Sequence, residues 1–448
     1  MYILKHVNII HLWGGKNIDI NFKDDVNILI GNNGAGKTTV INILYGVLTA
    51  NANIISKYDF HSILIELIDE GYSLDSKYIY ATRFRRDYVG YEKEVYYEIE
   101  DERYHLVPDE SNRLIYSRTE EKEDIKTRKI NFVSEEQLRK ILNEIVNITH
   151  ISTNRNKFGH EQKNEDDAFS LGWYKTSQDK VKDIDDVLQD QLEGLKSYQI
   201  EKNNRIKEIA LKYQKDILIE TLIDVSLSYG RNELVKQLEG FTIKDKTKDL
   251  IQAYTNLGVI DPSNESKYRR KITSNLKNVF DVLNELKEKS FKNITIRDVA
   301  VLSLYKKLNQ VVELSEYFKE ETERELAALK DFKNIVNDFF LNKYIEIDFS
   351  GDLKLYILEN GNEISIYELS SGEKQVLNIL IESLLQRGRS NIFMADEPEI
   401  SLHISWQSKI IKSIKSLNEN AQVIIATHSP EVAGSYPSKI IDMGRVVK

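Results

Sequence analysis

The 448-residue sequence predicts an α/β fold in which a mixed-sheet lobe is interrupted by a mainly helical insertion. Three observations carry this. Short strands rich in Ile, Val and Phe run through 2–10, 18–22 and 26–30, and the third leads into a glycine-rich loop and a helix starting near Lys37. Helical spacing then dominates from about 186 to 342. Strand alternation returns in Tyr344–Phe349 and Leu353–Leu358, after which a second cluster of polar motifs begins. The expected organisation is a first lobe at 1–155, a helical arm at 156–342 and a second lobe at 343–448.

Each element has its own local reason. The first helix carries Val40, Ile43, Leu44 and Val47 at helical spacing. Alternating segments at 60–68, 77–84 and 94–99, punctuated by Gly71 and Gly90, predict an antiparallel sheet beside that lobe. Ser134 and Gln137 have the spacing of a capping box and should open a helix bearing Leu138, Ile141, Leu142 and Ile145. Ile148–Ile151 reads as a strand that ends in Ser152, Thr153, Asn154 and Arg155. The run from Glu161 to Asp190 is acid-rich, with Asp166, Asp167, Asp183, Asp185 and Asp186, and reads as a loop. Val301, Leu304, Tyr305, Leu308, Val311 and Val312, followed by Leu326, Leu329, Phe332, Ile335, Val336 and Phe339, predict one long helix or two collinear ones. About 45 residues at 1.5 Å each reach roughly 65 Å.

Composition excludes several classes. With no cysteine the chain has no disulfide, catalytic thiol or cysteine zinc site. The first 13 residues mix Lys5, His6, Asn8 and His11 among apolar neighbours, unlike a secretory signal, and no window approaches the roughly 18–20 apolar residues of a membrane span. A cytoplasmic location without a membrane partner is expected. The net charge of -9 argues against a wholly basic nucleic-acid binder, although a local basic patch still can hold phosphates.

Gly31-Asn32-Asn33-Gly34-Ala35-Gly36-Lys37-Thr38 matches G-x-x-x-x-G-K-[ST] between a strand and a helix, the context this phosphate-binding motif needs. Its glycines let backbone N–H groups turn toward phosphates, and the helix N-terminus adds positive potential. Asn32 to Thr38, with Thr39 next to them, are the expected nucleotide contacts; Lys37 reaches the β and γ phosphates and Thr38 binds Mg²⁺. Ile392-Phe393-Met394-Ala395 reads as a buried strand delivering Asp396 and Glu397 at its end. Asp396 is assigned to the metal and Glu397 to the general base that activates water. Two acids after an apolar run also occur at ordinary solvated strand ends, so the pair gains its meaning from its order and company.

Leu369-Ser370-Ser371-Gly372-Glu373-Lys374-Gln375, followed by Val376, Ile379, Leu380 and Leu384, has the form of a Ser-capped amphipathic helix. It also resembles the Leu-Ser-Gly-Gly-Gln signature of ABC ATPases, with Ser371 and Glu373 in place of the central Gly and the Gln. The resemblance implies an ABC-ATPase head, a P-loop mixed sheet with a flanking antiparallel sheet, and ATP hydrolysis with Mg²⁺. It implies that Ser370, Ser371, Gly372 and Glu373 of one subunit close over nucleotide held by another, giving a head-to-head homodimer. Pro398–His403 looks like the family's D-loop, and Val423–Ser429 like its last strand with His428 as switch histidine contacting the γ-phosphate. His403 reads equally well as interface packing. Gln137 reads as a plain helix residue, and Asn154 or Arg155 as the polar sensor at a strand end.

More than 300 residues separate the phosphate loop from the signature, a gap that resembles SMC and RecF-like ATPases rather than transporter subunits. The arm is too short for an SMC coiled coil and, lacking cysteine, carries no zinc hook. The runs around 368–375 and 396–403 resemble the OLD family of bacterial ATPases, yet the chain stops 20 residues after His428, leaving no room for the Toprim nuclease of that family. The resemblance therefore implies an ATPase subunit like those of the PARIS (AriA) and Septu (PtuA) anti-phage systems, with PARIS favoured by the short insertion. Its partners would be a separate effector, a nuclease or toxin, and a phage trigger protein; assembly above the dimer stays open. Two alternatives remain. One is a DNA-repair ATPase clamping duplex DNA, with Lys267, Arg269, Arg270, Lys271 and Lys277 as a basic cluster, though a solvated helix face is the plainer reading. The other is a nucleotide-locked scaffold with negligible turnover.

Overall fold

The computed structural model describes residues 1–69, 75–84, 94–106, 130–152, 184–223, 243–288 and 295–448. Gly71, Gly90 and most of the acid-rich run 161–190 lie outside them. The chain forms two compact units: one of residues 1–196, 331–348 and 352–448, the other of 197–330 with 349–351.

Strands β1 (Tyr2–Leu12), β2 (Lys16–Asn21) and β3 (Val26–Ile30) precede helix α1 (Lys37–Leu48) and the short α2 (Ala52–Ile55). Then come β4 (Ser62–Asp69), β5 (Ser76–Phe84), β6 (Glu94–Ile99), β7 (Glu102–Leu106), β8 (Ile130–Val133), α3 (Glu135–Ile145) and β9 (Ile148–Ser152). Helices α4 (Ile184–Ile223), α5 (Ile243–Asn256), α6 (Glu265–Glu288) and α7 (Ile296–Phe339) follow. The chain closes with β10 (Lys343–Ile347), β11 (Leu353–Ile357), β12 (Glu363–Ile364), α8 (Ser371–Leu385), β13 (Asn391–Asp396), α9 (Ile404–Gln407), α10 (Ile410–Leu417), β14 (Ala421–Ala426), α11 (Pro430–Gly434) and β15 (Ile440–Asp442). The fold is the expected α/β one. The long apolar periodicity resolves into a single 44-residue helix, α7, and Ser134 and Gln137 make the full capping box at the start of α3.

In the first unit two sheets enclose α1. A seven-stranded sheet in the order β2-β1-β4-β5-β6-β7-β8 is antiparallel except for the β7–β8 pair. A five-stranded sheet in the order β15-β3-β14-β13-β9 is wholly parallel. Its central strands β13 and β14 are buried at every position, as continuous apolar runs in a sheet covered on both faces should be. Helix α1 is buried almost all round, and Val40, Ile41, Ile43, Leu44, Val47 and Leu48 share one core with β1, β4, β13 and β14. A helix apolar on all sides is what a position between two sheets demands. The second unit has its own smaller core of Tyr213, Ala253, Leu257, Val311 and Phe318, with the Tyr213 and Phe318 rings packed edge to face 5.8 Å apart.

One polar side chain in this interior has a structural task that periodicity does not reveal. Gln422 on β14 is fully buried. Its carbonyl accepts from the Leu4 N–H at 2.8 Å, and its amide donates to Leu4 O at 2.7 Å and Lys23 O at 2.8 Å. The β1–β4 register slips between Leu4 and His6, and Gln422 takes up the backbone groups beside that bulge, joining the two sheets. Replacing Gln422 with Leu removes the partners of the Leu4 N–H and C=O in a dry core, while Lys23 O keeps the Asn27 amide at 2.8 Å. The variant should lose about 2–4 kcal/mol of stability in a denaturant titration, from unsatisfied buried groups at about 1–3 kcal/mol each; a loss below about 0.5 kcal/mol would contradict the assigned role.

Candidate nucleotide site

The parallel sheet brings three distant segments to one edge. Asp396 at the end of β13 pairs in register with Ala426 at the end of β14, and Ala426 pairs with Leu29 of β3. The residues that follow, Glu397, Thr427–His428 and Gly31, therefore leave the sheet side by side. This is the carboxyl edge, where open α/β sheets bind their ligands.

The loop before α1 depends on glycine where the backbone turns left-handed. Gly34 has φ 79° and Gly36 φ 93°, conformations that are strained for residues with a Cβ. A Cβ on Gly36 would also lie 3.0 Å from the Trp13 ring. Asn32 and Asn33 are exposed, and the loop closes through Ala35 N–H donating to Asn32 O at 3.0 Å. Lys37 turns inward and is 4% exposed. Its ammonium donates to Gly31 O at 2.9 Å and meets His428 Nε2 at 2.7 Å. An ammonium only donates, so in this contact Nε2 is the acceptor. Burial pulls the Lys37 pKa below the ordinary lysine value, against the opposing charges of Glu397, Asp396 and Glu399.

Thr38 donates from Oγ1 to Asp396 Oδ1 at 2.9 Å, and Thr39 beside it is half-buried. Asp396 is 3% exposed, and its carboxyl is pushed up to about 6; burial is the largest cause, with the Glu397 and Glu399 charges adding to it and Thr38 and Lys37 opposing. A hard cation fits this donor set: one hydroxyl, one carboxylate short of compensating charge, and open coordination for phosphate and water, as Mg²⁺ prefers. Among the described residues no cluster of three or more His, Cys, Asp or Glu could hold a metal by itself, so any ion here would need nucleotide oxygens as well. Glu397 follows at φ 47°, a left-handed conformation unusual for a non-glycine residue, with its N–H donating to Ala426 O at 2.8 Å. Strained backbone of this kind gathers at functional sites. Its Oε1 stands 3.5 Å from His428 Nε2.

Ser370 is the N-cap of α8 and makes a complete capping box: Glu373 N–H donates to its Oγ at 3.3 Å, and Ser370 N–H donates to Glu373 Oε2 at 2.7 Å. Lys343 donates to both Glu373 oxygens at 3.0 Å. Burial raises the Glu373 carboxyl, but the Ser370 N–H and Lys343 outweigh it and hold the group below the usual range. Ser370 and Ser371 are exposed, and Gly372 is buried against the loop after Glu397: a Cβ there would meet Ser401 O at 2.4 Å. Gln375 donates to Pro398 O at 3.1 Å. No described hydrogen bond joins Ser370, Ser371, Gly372 or Glu373 to the phosphate loop of the same chain. His403 caps α9 through Nδ1, which accepts from Ser405 N–H at 3.3 Å. Lys267, Arg269, Arg270, Lys271 and Lys277 are all exposed on α6, Arg269 paired with Glu265. Asn154 and Arg155 lie outside the described residues.

Two residues were not legible as site residues in the sequence. Trp13, at φ 53° and 43% exposed, lies against Gly36 with Lys16 Nζ 5.4 Å from its ring centre. Its only sequence signal was an aromatic before the Gly14-Gly15 turn. Glu399, buried at 7% exposure, accepts from the N–H groups of His428 at 3.1 Å and Ser429 at 3.3 Å and from the Thr427 hydroxyl.

The Asp396 shift has a stability consequence. An acid whose carboxyl titrates near 6 in the folded chain and at the usual 3.8 when unfolded keeps its proton better when folded. The nucleotide-free protein should therefore lose about 3 kcal/mol between about pH 4 and pH 6. Asp396→Asn should remove most of that slope and be the more stable protein at pH 7; an unchanged pH profile in thermal melts would contradict the buried charge.

The chain is 24% identical over 303 residues to the Retron Vc95 probable ATPase of Vibrio cholerae serotype O1 biovar El Tor, covering 62% of this chain and 55% of the relative. It is 33% identical over 100 residues to the Retron Ec83 probable ATPase of Escherichia coli, covering 20% of this chain and 18% of the relative. The chain thus spans about half, or less, of the length of these relatives. A solved structure that it resembles is an Smc head domain with an extended coiled coil from Pyrococcus furiosus, bound to the C-terminal domain of ScpA, at 13% identity, TM-score 0.44 and coverage of 97% and 92% of the two chains. The AAA ATPase domain family AAA_15 matches residues 4–433, nearly the whole sequence, and the chain belongs to that family of ATPases.

Proposed function

We propose that this ATPase is a dimerising switch: two copies close over ATP, and the closed state controls a separate effector, a nuclease or toxin, in an anti-phage defence system of the PARIS or retron kind. The observation that carries the reading is the separation of two half-sites. Ser370 and Ser371 at the helix end are exposed, and no described hydrogen bond joins them to the phosphate loop of their own chain; in this reading a second copy supplies that end. Tyr367, Ile400 and Ile404, on the segments flanking the signature and the loop it packs against, are 45%, 45% and 60% exposed. In this reading they belong to the surface that meets the second copy. The likeness to two retron ATPases supports the defence role.

In this reading the 31–38 loop cradles the phosphates with its N–H groups, and Trp13 offers an aromatic face to the base. Lys37 exchanges its bond with His428 for one with the phosphates, freeing the imidazole to meet the γ-phosphate. Thr38 and Asp396 hold Mg²⁺, which when bound offsets phosphate charge. Glu397 orients the attacking water and takes its proton. Ser370 of the other copy approaches the same γ-phosphate from the N-terminus of its helix.

Lys37→Ala should weaken ATP binding by more than about 100-fold in calorimetry, since it removes the buried cation of the loop; unchanged affinity would overturn the site. Glu397→Gln should bind ATP normally and slow turnover by about 10²–10⁴-fold. With ATP it should accumulate as a species of twice the 52.1 kDa chain mass in light scattering. Ile404→Glu in that background should return it to the monomer; a monomer at saturating ATP without that change would refute the dimer.

A further inference from the structure

Glu399 lies two residues beyond Glu397, and its carboxylate reaches the turn that follows β14. One oxygen of its buried carboxylate gathers three donors from a single turn of chain: the Thr427 hydroxyl, the His428 N–H at 3.1 Å and the Ser429 N–H at 3.3 Å. Ser429 N–H is shared with the Thr427 hydroxyl at 2.8 Å. A second tie runs parallel to it: Ser429 Oγ donates to Gln407 Oε1 at 2.7 Å, and Gln407 Nε2 donates to Leu402 O at 3.1 Å. The other carboxylate oxygen of Glu399 is buried and has no hydrogen-bond partner among the described residues.

This is an expensive way to cap a strand. A buried carboxylate with one oxygen unpaired costs free energy that a Ser, Thr or Asn in the same place avoids. The arrangement does join two functional segments. The 398–407 segment is held on its far side by the signature helix, through Gln375 Nε2 to Pro398 O at 3.1 Å and through Gly372, where nothing larger than hydrogen fits beside Ser401 O. On its near side the only described carboxylate contact to the His428 backbone is Glu399. Ser401, at φ 71°, adds a left-handed turn to this short path. Movement of the signature helix end thus reaches the backbone of His428 through one loop and one side chain.

We infer that Glu399 is a positioning residue: its carboxylate clamps the Thr427–Ser429 turn so that His428 stands between Lys37 and Glu397, and it carries the position of the signature helix to that imidazole. The inference rests on the ATPase reading of the site. Three consequences separate it from a merely structural role. Nucleotide affinity should largely survive loss of the clamp, because no described hydrogen bond joins Lys37, Thr38 or the 31–38 loop to the Glu399 carboxylate, whose charge reaches Lys37 and Asp396 only through space. Turnover should fall, because His428 and Glu397 lose their register. An amide should restore it, because its carbonyl accepts the same three donors.

The test is ATP turnover and ATP affinity of the full chain as Glu399→Ala, Glu399→Gln, His428→Ala and the double variant Glu399→Ala/His428→Ala, with a thermal melt of each. Glu399→Ala should bind ATP within about threefold of the wild type and turn over at least about 30-fold more slowly, within the range of losing a positioned catalytic group. Glu399→Gln should recover to within about fivefold, and the double variant should be no slower than the slower single variant, as residues acting in one unit behave. Turnover of Glu399→Ala within about threefold of wild type, or losses that multiply in the double variant, would overturn the inference while leaving the ATPase reading intact. If Glu399→Ala does not fold, failure of the folded Glu399→Gln to recover turnover overturns it. A wild type that binds ATP but shows no turnover defeats the hydrolytic reading and this inference with it.

Discussion

Parallel pairing of β3, β14 and β13 is the constraint on which the site depends. Their first and last members are separated by more than 360 residues, yet the register Leu29, Ala426, Asp396 ends all three at one level. Parallel strands reach that register only by returning over the sheet. Here the return is made by elements as different as a two-turn helix and a chain of four long helices. The sheet tolerates such insertions because its strands are held by main-chain bonds and by burial on both faces. Helix α1, apolar all round, locks that edge from one side.

At the edge, charge is concentrated where water is scarce. Lys37, Asp396 and Glu399 are all nearly buried, with Glu397 beside them. Lys37 is pushed toward losing its proton and Asp396 toward keeping one, both chiefly by burial. The lysine bonds to Gly31 O and to the imidazole of His428, so the position of that imidazole is tied to the phosphate-loop lysine.

The signature helix shows how one residue choice serves two levels. Glu373 completes the capping box on Ser370 and pairs with Lys343 in the small sheet β10-β11-β12. The helix end is thereby fixed to its own lobe while its outer face stays exposed. Gly372 has a different reason to be small, since the Ser401 carbonyl occupies the space of its side chain. Substitution at Gly372 would disturb the loop after Glu397 as well as the helix end itself.

Local rules made much of this readable in advance. The strand before Gly31, the apolar helix after Lys37, the capping boxes at Ser134 and Ser370 and the buried run before Asp396 all depend on neighbours within a few residues, where periodicity and capping chemistry apply. Gln422, Trp13 and Glu399 were not readable, because their partners lie at Leu4, Gly36 and His428, set by tertiary contact rather than spacing. Gln422 preceded the strand read from Val423, and Glu399 lay inside the Pro398–His403 run with no role of its own. The sequence by itself determined the strands, the phosphate loop and the residue types that can bind and cleave a phosphate anhydride, because those are encoded in short patterns. Only the tertiary structure decided which buried polar groups face one another, because those contacts join residues far apart in the chain.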